Sequence, residues 1–291
     1  MKFFIKKKSN GKVNGVSPVR VGESKKGFIK RLFSYEISKR QKFILVSLTL
    51  TIGLVATQLV DDSLRFQTIG FLTVLTIFLS IFALWGELSG VKYFLLLLLP
   101  AYFVAGASLF YFLLPIRWLT RVPFAIAFGV SFYLLMLTAN IFNVAAIRTI
   151  ALLRAAYAVG LLFSLLATFF LCNVLFSFHL PVYAIAAGVA VIVFPLYLVG
   201  LWSYELEDYV SKRVFRYAVI FTLASMEVAV VLSFWPIVAV NSALAMATIM
   251  YVVLGLCQFA FQERLKSRQI WEHLVVAMTV FLVIVISTRW G

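Results

Sequence analysis

Charge is scarce in this chain, and acidic charge is scarcest. Only 13% of the 291 residues are Asp, Glu, Lys or Arg, and 11 of them are acidic. A soluble domain carries about a quarter charged residues and about half apolar ones. Here 63% are hydrophobic, and no soluble fold of this length can hide that much apolar surface. The bilayer must therefore be the solvent. Strict in-out alternation is also missing: runs such as LLLLLP and AIAAGVAVIVF exclude a strand-built barrel and leave helices.

Two cysteines, Cys172 and Cys257, lie inside apolar runs and read as small packing residues rather than a disulfide. The two histidines, His179 and His273, have no second His or Cys nearby, so neither a metal site nor a cofactor is expected. There is no G-x-S-x-G, G-x-G-D, D-x-x-D-G or H-E-x-x-H motif and no P-loop. No catalytic residue can be assigned, and the expectation is a protein that is not an enzyme.

What is present is a series of long apolar runs. About nine reach the ~18 residues that mark a membrane span. They fall at about 43–60, 68–85, 93–114, 122–141, 155–175, 181–202, 214–235, 236–261 and 270–288. Asn143 to Arg154 is expected to extend the fifth span, with Arg148 and Arg154 reaching back to lipid headgroups. The fold class is thus all-α, a polytopic transmembrane helix bundle over residues 43–291. No loop between spans exceeds about a dozen residues.

Residues 1–42 form a basic arm with 13 of the 26 Lys and Arg and only Glu23 and Glu36 as acids. It has no apolar core fit for a cleavable signal. Its first part, rich in Gly, Ser, Asn and Lys, is expected to be disordered. Over 27–42, Phe28, Ile29, Leu32, Phe33 and Ile37 recur at helical spacing among Lys30, Arg31, Lys39 and Arg40. That pattern suits a short amphipathic helix in the headgroup plane.

Counting basic residues by side orients the chain. With the N-terminus inside, only Arg65, Arg117, Arg121 and Arg289 fall outside, against 22 inside. Positive charge gathers on the cytoplasmic face, so the arm is cytoplasmic and the C-terminus outside. The net charge of +15 then reflects anionic headgroups at the inner face rather than nucleic acid. The expected location is the cell (plasma or inner) membrane. All six tryptophans stand at span ends, as aromatic belts require.

One residue breaks the apolar pattern. Glu227 lies near the middle of the seventh span, VFRYAVIFTLASMEVAVVLSFW. A charge at that depth costs on the order of 2.5–3.5 kcal/mol on insertion scales. Its helical neighbours Leu223, Ala224, Val230 and Val231 cannot satisfy it. A partner must come from another helix, with Thr248, Asn241 and Ser242 as candidates, or the carboxyl stays protonated. Elsewhere, Asp61 and Asp62 read as a solvated loop, and Glu272–His273 as an interfacial pair. Pro100 and Pro195 sit in related P-x-Y-x-V segments of the third and sixth spans, 95 residues apart, which a short inverted repeat would explain.

Three functional classes follow. The scarcity of polar residues in the spans favours a non-catalytic membrane scaffold or assembly subunit. The alternative is a small permease or transporter with Glu227 as an intramembrane proton or cation site. Third comes an enzyme acting on a lipid-linked substrate.

Overall fold

Backbone polar groups have no water to bond in hydrocarbon, so each apolar run must satisfy them internally as helix. A computed structural model describes residues 38–60, 62–84, 92–115, 117–145, 152–207 and 209–288. Among these the chain is helical with no strand, and nine helices are long and apolar enough to cross a membrane. In chain order they are α1 Lys39–Ala56, α2 Arg65–Ala83, α3 Lys92–Leu113, α4 Trp118–Ala145, α5 Leu153–Ser177, α6 Val182–Glu205, α7 Lys212–Phe234, α8 Ala239–Phe261 and α9 Ser267–Ser287. Lys39 to Gly291 cluster as one unit. Lys30, Arg31, Arg148, Asp61 and the expected interfacial helix up to residue 37 lie outside the described residues, while Lys39 and Arg40 form the exposed start of α1.

Several helices begin earlier than hydropathy suggests, because basic and aromatic residues continue them into the interface. Lys39 starts α1 and Trp118 starts α4. One boundary needs correcting. Asn143 does not extend the fifth span: α4 runs to Ala145, and Asn143 is buried on it beside Phe142. Phe142 packs its ring against Tyr157 of α5 at 5.9 Å, which draws this stretch into α4.

α3, α5 and α6 form the centre, and α9 is the most peripheral span. In the most apolar window of each helix, 61% of α3 is buried but only 11% of α9. The most extensive pairings are α6 with α7, α5 with α8 and α3 with α5. Phe103 of α3 stacks on Phe128 of α4 at 5.8 Å and meets Phe163 of α5 edge-on at 5.2 Å. Small residues allow the tightest approach: Ser47 of α1 donates to the Gly129 carbonyl of α4, where a Cβ would collide with Thr51.

One helix-interior proline, Pro195, is accommodated by a neighbour. Pro195 has no N–H, so the Val191 carbonyl four residues earlier loses its helical donor. Tyr102 of α3 supplies one: its hydroxyl donates to Val191 O at 3.0 Å. Tyr102 and Tyr197, the tyrosines of the two P-x-Y-x-V segments, therefore each reach a neighbouring helix, Tyr197 touching Ser225 of α7.

Two interfacial expectations are corrected. Trp202 is fully buried and donates its indole N–H to the Glu207 carbonyl at 2.9 Å, closing the end of α6 instead of facing lipid. Glu272 and His273 do not pair: Glu272 holds Arg268 at 2.8 Å, and His273 turns inward to α8. The His273 ring stacks on Tyr251 with centroids 4.8 Å apart and bonds the Gln269 carbonyl through Nδ1 at 2.8 Å. It occupies the space that Gly255 leaves open, where a Cβ would meet the ring.

Candidate functional site

Glu227 is positioned by α7, and α7 is positioned by its seam. The helix starts at a built cap: Ser211 Oγ accepts from the Val214 N–H at 3.1 Å and donates to Glu205 Oε2 at 2.6 Å. Val214, Ala218, Thr222, Ser225, Ala229 and Leu232 then recur every three or four residues, and all six are buried. Small residues let α7 lie close on α6. Thr222 satisfies its hydroxyl on the Ala218 carbonyl of its own helix at 2.7 Å. Ser225 instead bridges to the buried Tyr197 hydroxyl of α6 at 2.9 Å.

At about 100° per residue, Glu227 stands about 180° round the axis from that seam. It is exposed on the protein surface. Its companions on that side are bulky and apolar: Leu223 is 53% exposed and Val231 62%. Among the described residues Glu227 makes no hydrogen bond and no ion pair. Its position is about 12 Å along the helix from the Trp235 end. Arg216, on the same face, lies about 16 Å back along the axis.

Two of the three candidate partners on α8 are engaged elsewhere, and the third is buried away from the carboxyl's exposed face. The Thr248 hydroxyl donates to the Leu244 carbonyl at 2.8 Å, within its own helix. Asn241 Nδ2 donates to Ser287 Oγ of α9 at 2.7 Å. Ser242 is buried and borders a crevice of about 650 Å3 with His179, Trp235 and Pro236. The structure therefore brings none of them to Glu227. Asn241 and His273 instead fasten opposite ends of α9 to α8.

Among the described residues no polar side chain bonds the carboxyl. The buried hydroxyls of Thr76, Ser164, Thr168 and Thr222 bond carbonyls of their own helices. A void bordered by Tyr157, Ser164, Ser203 and Tyr204 in the core has room for about 10 Å3, a single water at most. Cation-π contacts hold two of the arginines: Arg65 over Phe112 at 5.1 Å and Arg213 over Phe261 at 4.4 Å. Among the described residues no group of three metal-binding side chains gathers.

The outward direction of Glu227 could have been read from the pattern. Small and hydroxyl residues mark the seam between membrane helices, and here they fall opposite Ile220, Leu223, Val231 and Phe234. Ser225 and Tyr197 were missed because their pairing depends on tertiary contact. The fold is that of a multi-pass membrane protein. Compared with family models, curated proteins and solved structures, the chain matches none.

Proposed function

We propose that the chain is a non-catalytic assembly subunit of the cell membrane, and that the outward face of α7 docks a partner's transmembrane helix. The supporting observation is the direction of Glu227: away from the bundle, at mid-span, with no partner among the described residues. A lone carboxyl facing lipid carries the full penalty of its depth. A neighbouring helix that brings a hydroxyl, amide or basic side chain to the same depth relieves it. The surrounding Leu223, Val231 and Phe234 supply packing area for such a helix. In this reading the N-terminus and the basic arm are cytoplasmic, the C-terminus is outside, and the arm meets anionic headgroups.

Transport has less support, since a solute path needs several convergent polar groups and Glu227 stands outside the bundle. Position-specific photocrosslinking in native membranes separates the two. A benzoylphenylalanine at Leu223 or Val231 should give one discrete protein adduct, lost on Glu227→Leu, while the same probe at Phe78 of α2 gives none. Lipid adducts alone, together with a proton or cation flux in purified vesicles that depends on Glu227, would establish the transporter instead.

A further inference from the structure

The loop between α8 and α9 and the start of α5 border a crevice of about 1150 Å3. Three cations line it, Arg154, Arg264 and Lys266, against one acid, Glu263. All four are exposed, and none of the three cations takes part in an ion pair among the described residues. The contrast with the first turn of α9 is direct: Arg268 there is paired with Glu272 at 2.8 Å. Like charges held around one space repel each other, and a bound anion removes that penalty.

We propose that this crevice binds a phosphate-bearing anion, either a lipid headgroup or a soluble phosphate. The lining supplies the chemistry phosphate needs. Arg154 and Arg264 offer guanidinium forks that match two phosphate oxygens, and Lys266 adds a mobile point charge. Gln258 and Gln262 contribute amide donors. Gln269 accepts from the Lys266 backbone N–H through Oε1, which leaves its NH2 as a donor. The N-terminus of α5 adds its positive dipole end, with no acidic residue in its first turn and no cap from the Leu152 side chain. Backbone bonds of Glu263 N–H to Ala260 O at 3.1 Å and Arg264 N–H to Phe259 O at 2.9 Å fix the turn that presents Arg264. The assignment is independent of the assembly reading and of orientation.

The test uses the full chain in detergent, titrated with phosphatidylglycerol and phosphatidylcholine and read by native mass spectrometry. Phosphatidylglycerol should bind more tightly, and the double variant Arg264→Gln/Lys266→Gln should weaken it by about tenfold or more. Arg268→Gln, which removes a paired cation from the neighbouring first turn of α9, should change nothing. Glu263→Gln should tighten binding, a gain that no folding defect produces. Inorganic phosphate that displaces the lipid assigns the site to soluble phosphate, and failure to displace assigns it to the headgroup. Equal binding of the two lipids with no binding of inorganic phosphate overturns the proposal. So does a double variant that binds phosphatidylglycerol as the unaltered chain does.

Discussion

Ser225 and Glu227 stand two residues apart on α7 and face opposite ways. The Ser225 hydroxyl is buried against Tyr197 at 2.9 Å, and the Glu227 carboxyl is exposed on the far side. One polar residue joins the bundle together, and the other points out of it. That relationship carries the functional account, and it sets apart two substitutions that hydropathy alone would rank alike.

Glu227→Leu should leave the isolated protein as stable as before or more so. The carboxyl has no partner to lose, and an apolar replacement removes a depth penalty on the order of 2 kcal/mol or more. Steric trapping or denaturant unfolding of the purified chain would measure this. A marked loss of stability would mean the carboxyl is an interior link after all.

Tyr197→Phe should destabilise. It removes one partner of a buried hydroxyl pair and leaves Ser225 unsatisfied. Interhelical hydrogen bonds in membranes contribute about 0.6 kcal/mol on average and up to about 1.7. The same unfolding measurement should show a loss in that range, with Ser225→Ala adding little in the Tyr197→Phe background.

Tyr102→Phe and Pro195→Ala should be coupled. The Tyr102 hydroxyl serves the Val191 carbonyl that Pro195 leaves without a donor. In the native chain Tyr102→Phe should cost about 1 kcal/mol. In a Pro195→Ala background it should cost close to nothing, because the alanine N–H restores the helical bond. Additive effects in this double-mutant cycle would contradict the geometry.

Gly255→Ala should loosen α9. The new Cβ meets the His273 ring, which anchors α9 to α8. Cysteines placed at Asn241 and Ser287, whose side chains touch at 2.7 Å, report the docking at the opposite end. With Cys172 and Cys257 replaced, oxidative cross-linking between these two should be efficient. Gly255→Ala should reduce it, and a further His273→Ala should restore it. Cross-linking unaffected by Gly255→Ala would show that the ring does not fill that space.

The spans were legible because run length and hydropathy report directly on the bilayer. Their ends were less so: Lys39 and Trp118 continue helices that an apolar count ends early. Asn143 was misplaced because a polar residue inside an apolar stretch looks like a boundary, whereas here it is buried on α4. From its position in the chain His273 reads as interfacial, yet the gap left by Gly255 on another helix decides its direction. Glu227 shows the same division most clearly. Its depth follows from counting residues, but whether it faces inward depends on which side of α7 meets α6. The small residues at Ala218, Ser225 and Ala229 held that information, and hydropathy averages it away.

The most direct test is to place a nitroxide spin label at position 227 of the purified protein in vesicles. Labels at 223, 225 and 231 complete the scan, each read for collision with oxygen and with a water-soluble nickel chelate. The account predicts high oxygen and low nickel accessibility at 227, matching 223 and 231, with 225 shielded from both. Nickel access at 227, or shielding from both reagents, would contradict a lipid-facing Glu227 and with it the assembly role.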